Sequence, residues 1–175
     1  MICEPVLNNK EYDNLMQCTK VFLLNAMEDV ETSMSSNIKT LTNRELNKKA
    51  KEIVKEKFKE YDARIIEKDR IFSVITKEGK GIKVLVKSIR RPTEYVLILK
   101  KHMDASQDNF YIALVIFSGE NTTELFLIPA TAFLEPNDLL RDRPEYKEPE
   151  FGMNVSNKNM PLLNIYNFTN FFNGI

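Results

Sequence analysis

Residues 111–117 read Tyr-Ile-Ala-Leu-Val-Ile-Phe, and this run is the feature that most constrains how the chain can fold. Its β-branched and aromatic content favours a strand, and no polar residue alternates with the apolar ones. A strand that is apolar on both faces has to be covered on both faces. The run therefore predicts a central strand over Phe110–Phe117, inside a layered α/β domain with a mixed sheet.

Two segments with helical periodicity precede the strands. Residues 10–30 place apolar side chains at spacings of three and four, which predicts a first helix, and residues 31–40 are small and polar, as in a connecting loop. The sequence Thr42-Asn43-Arg44-Glu45 is a capping box, with Thr42 at the cap and Glu45 at the third helical position. A second helix is predicted to run from there to about Tyr61.

From residue 63 the apolar period shortens toward two, which predicts strands. Glu78–Gly81 is typical of a hairpin turn, and we expect a sheet of about five or six strands. We treat 1–175 as a single domain with a first helix and loop (1–40), a core (41–135) and an irregular aromatic tail packed on it (136–175). The expected strands are 63–67, 71–76, 82–89, 95–99, 110–117 and 125–128. The expected core residues are Ile71, Val74, Val84, Val86, Leu97, Ile112, Leu114, Ile116 and Leu127.

Composition excludes several classes of function. The chain has 5 Gly and no glycine-rich phosphate loop. It has 2 Cys and 1 His, too few for a zinc site of the Cys/His kind. The two cysteines, Cys3 and Cys18, are interpreted as free thiols. With 25 Lys+Arg and 25 Asp+Glu, the formal net charge is zero, so contact with nucleic acid requires a local basic patch.

Neither a membrane segment nor a targeting segment is evident. The early apolar run Val21–Leu24 is far shorter than the ~20 residues of a membrane span. The first residues include Glu4 and lack the basic cluster of a signal peptide. We therefore expect a cytoplasmic protein without a membrane partner.

The predicted strand 82–89 carries lysines among valines. Alternation places Lys83, Leu85, Lys87 and Ile89 on one face. Lysine is rarely buried without a partner. Either this face is solvated, or Lys87 points into a polar pocket.

A helix that starts near Glu45, a hairpin, and a strand ending in Val86-Lys87-Ser88 together resemble the PD-(D/E)xK nuclease superfamily. The chain is most similar to a small, uncharacterised bacterial branch of it. Glu124–Pro129 and Lys147–Gly152 resemble later segments of those proteins. The resemblance covers residues 42–166 and implies a restriction-endonuclease-like core.

In that superfamily two carboxylates hold a divalent cation such as Mg²⁺, which activates water while a lysine assists. The resemblance assigns the lysine to Lys87 and makes Glu45 the candidate for a helix glutamate. The position two residues before the lysine is Leu85, and the expected acid of the preceding strand falls near Ser73. Asp69 lies just before that strand. These departures predict a relative that does not cleave.

Basic residues also gather on the predicted strands and their connections. A nucleic-acid contact is one interpretation, because Lys/Arg clusters bind phosphate backbones without sequence preference. Glu94 and Asp104 interrupt the group. Its members are Lys83, Lys87, Arg90, Arg91, Lys100 and Lys101.

Three hypotheses remain open. The first is a non-cleaving PD-(D/E)xK-like domain that binds nucleic acid or a protein and needs no cofactor. The second is an active Mg²⁺-dependent DNA nuclease that uses Asp69, Glu45 and Lys87. The third is an interaction protein unrelated to nucleases. The candidate partners are DNA, or a protein that contacts the helix 10–30 or the aromatic tail.

Overall fold

The computed structural model describes residues 38, 40–68, 70–119 and 122–173. The chain divides after residue 40, and the architecture below is that of Leu41–Ile175. The predicted helix 10–30 lies outside the described residues, as does nearly all of the loop that follows it.

The helix α1 spans Asn43–Lys59 and starts where the capping box predicts. The Glu45 N–H donates to Thr42 Oγ1 at 3.4 Å, and the Thr42 N–H donates to Glu45 Oε2 at 2.8 Å. Each interaction gives a hydrogen-bond acceptor to a backbone N–H that has no partner within the helix. Leu46, Ala50, Val54 and Phe58 form a buried apolar stripe on α1, and Lys55 is buried as well.

A mixed sheet follows α1, as predicted. The strands in chain order are β1 (Arg64–Lys68), β2 (Ile71–Ile75), β3 (Gly81–Arg90), β4 (Tyr95–Leu99), β5 (Phe110–Ser118) and β6 (Thr122–Pro129). Within the described part of the chain the first sheet has five strands in the order β1-β2-β3-β5-β6. The strands β3 and β5 are parallel, and the other neighbours are antiparallel.

The register of β2 on β3 leaves half of β3 with a single neighbour. Ile71 begins β2 and pairs with Leu85, and Ser73 pairs with Lys83. On its other side β3 pairs with β5 from Lys83 to Arg90. Among the described strands, Val86–Arg90 therefore has a partner on one side only.

The strand β4 does not join this sheet. It pairs with β8 (Glu150–Asn154), which pairs in turn with β7 (Leu140–Arg143), in a second, antiparallel sheet of order β4-β8-β7. The expectation of one sheet of five or six strands is wrong for β4. The expectation of irregular chain after residue 135 is wrong for β7 and β8. The apolar alternation of β8, with Phe151 and Met153, extends over only five residues, and β7 has four.

The two faces of the first sheet are covered differently. On one face, α1 contacts β2 and β3; Phe58 and Phe72 have ring centroids 6.4 Å apart, and Ser88 Oγ donates to Asn47 Oδ1 at 2.9 Å. The other face packs against the second sheet, with Leu85, Ile112 and Leu114 in one apolar cluster with Val96, Ile98, Phe151 and Met153. The predicted two-sided burial of β5 is confirmed, because Ile112–Phe117 is buried throughout.

The predicted core is confirmed for Val74, Val84, Ile112, Leu114, Ile116 and Leu127, which are all buried. Ile71 and Val86 are partly buried. The prediction is wrong for Leu97, which is 45% exposed. Alternation in β4 turns Val96 and Ile98 toward the core and Leu97 to the outer face of the second sheet.

On that outer face, the Tyr95 ring lies directly over the backbone of Gly152. A Cβ at position 152 would overlap the Tyr95 hydroxyl. The hydroxyl donates to Glu150 Oε1 at 3.0 Å, and the Arg143 guanidinium carbon lies 5.1 Å from the centre of the Tyr95 ring. The ring is thereby fixed across β8.

Two short helices, α2 (Met160–Asn164) and α3 (Phe168–Asn173), follow β8. The Phe168 ring packs 4.9 Å from Phe58, and Phe172 stacks on Tyr61 at 4.0 Å. These rings extend the helical layer, as expected of an aromatic tail packed on the core. We expected two helices before the strands. The described residues contain one α-helix before the strands and two after them. None of the helices described is long and apolar enough to cross a membrane.

Candidate functional site

A cleft of about 850 Å³ opens beside the half-paired part of β3. It lies between the N-terminal half of α1 and the strand β4. We call it the edge cleft; it is lined by Arg44, Asn47, Lys48, Lys51, Arg70, Leu85, Val86, Lys87, Leu97, Leu99 and His102.

Lys87 is a half-buried cation of this cleft. It lies on β3 two residues beyond the last pair with β2, where the strand edge is not covered by that neighbour. Burial lowers the pKa of the Lys87 ammonium, and the Arg70 guanidinium lowers it further. The environment thus disfavours the charge on Lys87, because it removes water and adds a like charge.

The helix α1 contributes three more cations. Arg44, Lys48 and Lys51 are spaced by four and three residues, so they share one face of the helix. Asn47, on the same turn, accepts the Ser88 hydroxyl at 2.9 Å and joins α1 to β3 beside the cleft.

The charge of the edge cleft is one-sided. No Asp or Glu is among the described residues that line it. Lys51 does have a carboxylate partner outside the lining, Glu67 Oε2 at 3.4 Å. Within the described part of the chain, Arg44, Lys48, Arg70 and Lys87 form no ion pair with a carboxylate.

Arg70 and His102 meet at one end of the edge cleft. The Arg70 Nη1 atom lies 2.8 Å from His102 Nε2 and 3.3 Å from His102 Nδ1. A guanidinium only donates, so the ring nitrogen that accepts carries no proton. Burial lowers the pKa of the His102 imidazole, and Arg70, Lys101 and Lys87 lower it further.

A second cleft of about 830 Å³ shares Arg70 and His102 with the first. We call it the loop cleft; it is lined by Lys68, Arg70, Ile71, Ser73, Lys83, Lys100, Lys101, His102, Met103, Asp104, Ala105, Gln107, Phe110 and Phe151. Three of its lysines have polar partners. Lys100 pairs with Asp142 at 2.5 Å and Lys101 with Glu148 at 2.7 Å, while Lys83 donates to the Gln107 side chain at 2.8 Å.

The structure brings together only some of the residues that the sequence singled out. Lys87 lines the edge cleft, and Lys83, Lys100 and Lys101 line the loop cleft. The remaining two members of the predicted patch make other contacts. Arg90 Nη2 donates to the Leu41 carbonyl at 2.6 Å, and Arg91 Nη1 donates to the Val155 carbonyl at 2.7 Å.

The Glu45 side chain caps the start of α1. Its carboxylate accepts the Thr42 hydroxyl at 2.7 Å as well as the Thr42 N–H. These hydrogen bonds, first from the side chain and then from the backbone, lower the pKa of Glu45. Glu45 does not line either cleft. Asp69, the other candidate acid, lies outside the described residues.

Leu85 and Ser73, the positions where the resemblance expects metal-binding acids, carry no carboxylate. Leu85 is 2% exposed and belongs to the core cluster. Its partner across the β2–β3 register is Ile71, and Ser73 faces Lys83 instead. In the part of the chain that the structure describes, no three His, Cys, Asp or Glu side chains converge as a metal ion would need.

Sequence reasoning missed five lining residues of the edge cleft, namely Arg44, Lys48, Lys51, Arg70 and His102. The spacing of the three α1 cations was visible, but a Lys-rich helix face is usually a solvated surface. Arg70 and His102 are 32 residues apart in sequence and give no local indication that they meet.

No protein-family model, curated protein or solved structure matches this chain.

Proposed function

We propose that this chain binds the phosphate backbone of nucleic acid in the edge cleft and does not hydrolyse it. In this proposal it is a PD-(D/E)xK-like domain that has lost its metal-binding acids. The observation that carries the proposal is a concave site with Lys87 half-buried among Arg44, Lys48, Lys51 and Arg70, and no carboxylate in the described lining.

The electrostatics of the cleft favour an anionic ligand. Arg70 and Lys87 repel each other, and burial has removed part of the water that would stabilise the Lys87 charge. A phosphate group between them replaces repulsion with attraction and restores hydrogen-bond acceptors. Several such cations along one groove fit a polymer with regularly spaced phosphates better than a single small anion.

Hydrolysis by the superfamily mechanism needs carboxylates, and the described residues that line this site include none. Mg²⁺ prefers oxygen ligands, and protein sites supply one or two carboxylates. Leu85 and Ile71 offer only hydrocarbon, and the Glu45 carboxylate is held by Thr42. Lys87 without a metal can bind a phosphate but cannot activate water in the way that a metal does.

A nuclease-like ancestry is part of this proposal, and the order of the helix and strands agrees with it. An antiparallel meander without a preceding helix would favour an unrelated interaction protein. Instead α1 precedes a mixed sheet in which β3 and β5 are parallel, and Lys87 lies on the central strand of that sheet.

Fluorescence anisotropy with labelled single-stranded and double-stranded DNA at several salt concentrations tests this proposal. We expect binding that weakens as salt rises, because phosphate contacts release counterions. Lys87→Gln should weaken binding about 10-fold or more, as the loss of a charged hydrogen bond is worth about 1.5–3 kcal/mol. The matched control is Lys101→Gln, which removes a lysine already paired with Glu148 and should change the affinity by less than about 3-fold.

Two results would overturn the proposal. One is the absence of salt-sensitive DNA binding by the wild-type protein. The other is Mg²⁺-dependent nicking of plasmid DNA that Lys87→Ala and Asp69→Ala both abolish, which would replace the binding function with an active nuclease.

A further inference from the structure

His102 occupies the junction where the two clefts meet, and it is the single histidine of the chain. It follows β4, in the short 3₁₀ turn Lys100–His102. Its ring accepts from Arg70 at 2.8 Å and is only partly buried. An imidazole in this position is reachable by a ligand that contacts Arg70 or Lys87.

The charges around the imidazole are mainly positive. Arg70 faces it from the β1–β2 turn, Lys87 from β3 and Lys101 from its own turn. One carboxylate, Glu148 from the segment before β8, also acts on the ring, but it is paired with Lys101 at 2.7 Å. The other charged residues of the two linings are Arg44, Lys48, Lys51, Lys68, Lys83, Lys100 and Asp104.

We propose that His102 is a phosphate-contacting residue of the edge cleft and that it takes up one proton when a phosphate binds. This inference rests on the proposed function and names a residue and a condition that the proposed function does not require.

When a phosphate binds, Arg70 and His102 exchange hydrogen-bond partners and one proton comes from solvent. In the free protein the neutral ring accepts from Arg70. When a phosphate enters, Arg70 donates to a phosphate oxygen instead, and the ring nitrogen that Arg70 leaves becomes available for a proton from solvent. The imidazolium then donates that N–H to the phosphate. No bond of the ligand is broken.

The direction of the pH effect follows from the neighbours. The cations that hold the pKa of His102 below its ordinary value in the free protein are neutralised by the phosphate. The pKa of His102 therefore rises on binding. By linkage, affinity then increases as the pH falls between the two pKa values, by at most about tenfold per pH unit for one proton.

Because one histidine is present, its ring protons give an isolated NMR titration. The probe is an oligonucleotide without a terminal phosphate, because its internal phosphodiesters do not titrate between about pH 5 and 8, where histidine does. We expect the His102 titration midpoint to lie below the ordinary histidine value in free protein and to rise when the oligonucleotide saturates the site. The dissociation constant should fall as the pH falls in the wild type and stay flat in His102→Gln.

Each alternative result has a distinct meaning. Oligonucleotide binding with an unchanged His102 midpoint, or with the same pH dependence in His102→Gln, would overturn this inference and leave the proposed function standing. Absence of oligonucleotide binding at every pH would overturn both.

Discussion

The two adjoining clefts are both rich in cations, but their central cations differ in whether a carboxylate already binds them. In the loop cleft, Lys100 and Lys101 are bound to Asp142 and Glu148. In the edge cleft, Lys87 and Arg70 have no carboxylate partner among the residues described. Lysine count is therefore a poor guide to an anion site, and the position of the acids decides which cations are available to a ligand.

The difference has a structural origin. The acids that serve the loop cleft come from the second sheet and its connections, since Asp142 lies on β7 and Glu148 just before β8. The edge cleft is bordered by α1, where Arg44 and Lys48 face the cavity while Glu45 is held at the cap. In the proposed function, an anionic ligand supplies the negative charge that the described lining of the edge cleft does not.

The largest effect should come from removing both central cations of the edge cleft. Arg70→Gln combined with Lys87→Gln should weaken DNA binding at least about 100-fold, because each charged hydrogen bond is worth about 1.5–3 kcal/mol. Lys100→Gln with Lys101→Gln is the matched double variant and should cost far less. Anisotropy titrations of the two variants compare the two pairs of cations directly, and equal losses would erase the distinction between them.

A smaller effect is expected at alkaline pH. Lys87 loses its proton at a lower pH than an ordinary lysine, because burial and Arg70 lower its pKa. DNA affinity should therefore decrease as the pH rises through that lowered pKa, by at most about tenfold per pH unit. Lys87→Arg keeps its charge throughout this range and should abolish the decrease. A wild-type profile that stays flat until ordinary lysines titrate would contradict the assignment.

Removing the carboxylate partners of the loop-cleft lysines should strengthen DNA binding rather than weaken it. Asp142→Asn with Glu148→Gln frees Lys100 and Lys101 from their partners. We expect DNA binding to tighten roughly 2- to 5-fold, in line with the ~0.2–1 kcal/mol of exposed pairs. Unchanged affinity at low salt would show that the two clefts differ by more than the ion pairs of their lysines.

The smallest effect on DNA binding is expected from a change at the helix cap. Thr42→Ala should lower the free energy of unfolding by about 1 kcal/mol, because it removes one half of the capping box. Urea denaturation measures this change. Since Lys48 and Lys51 lie beyond the first turn, DNA binding should fall much less than in Lys87→Gln. A loss as large as that of Lys87→Gln would show that DNA binding depends on the cap that positions Arg44 in the first turn.

Local sequence was sufficient for most of the fold. The capping box predicted the start of α1. The shortened apolar period, and for β5 the uninterrupted apolar run, predicted β1–β6 to within a few residues. These features follow from neighbours in sequence. The partner of β4 does not, because Tyr95–Leu99 has the same apolar alternation whether it joins the first sheet or the second.

The site was less accessible to prediction than the fold. Lys87 was identified because a lysine among valines on a strand is unusual. The availability of its charge depends on Arg70 beside it and on the absence of a carboxylate from the described lining, which are tertiary facts. Likewise, the sequence suggested that Lys100 and Lys101 belong to a basic patch, while their acid partners lie more than forty residues later in the chain.

The Tyr95 ring over Gly152 has a consequence for how this sequence can diverge. A side chain at position 152 would require the Tyr95 hydroxyl to move and would remove its hydrogen bond to Glu150. The two positions are therefore not free to vary independently. In divergent versions of this protein, any residue other than glycine at 152 should be accompanied by a smaller side chain at 95. The two positions should therefore change together.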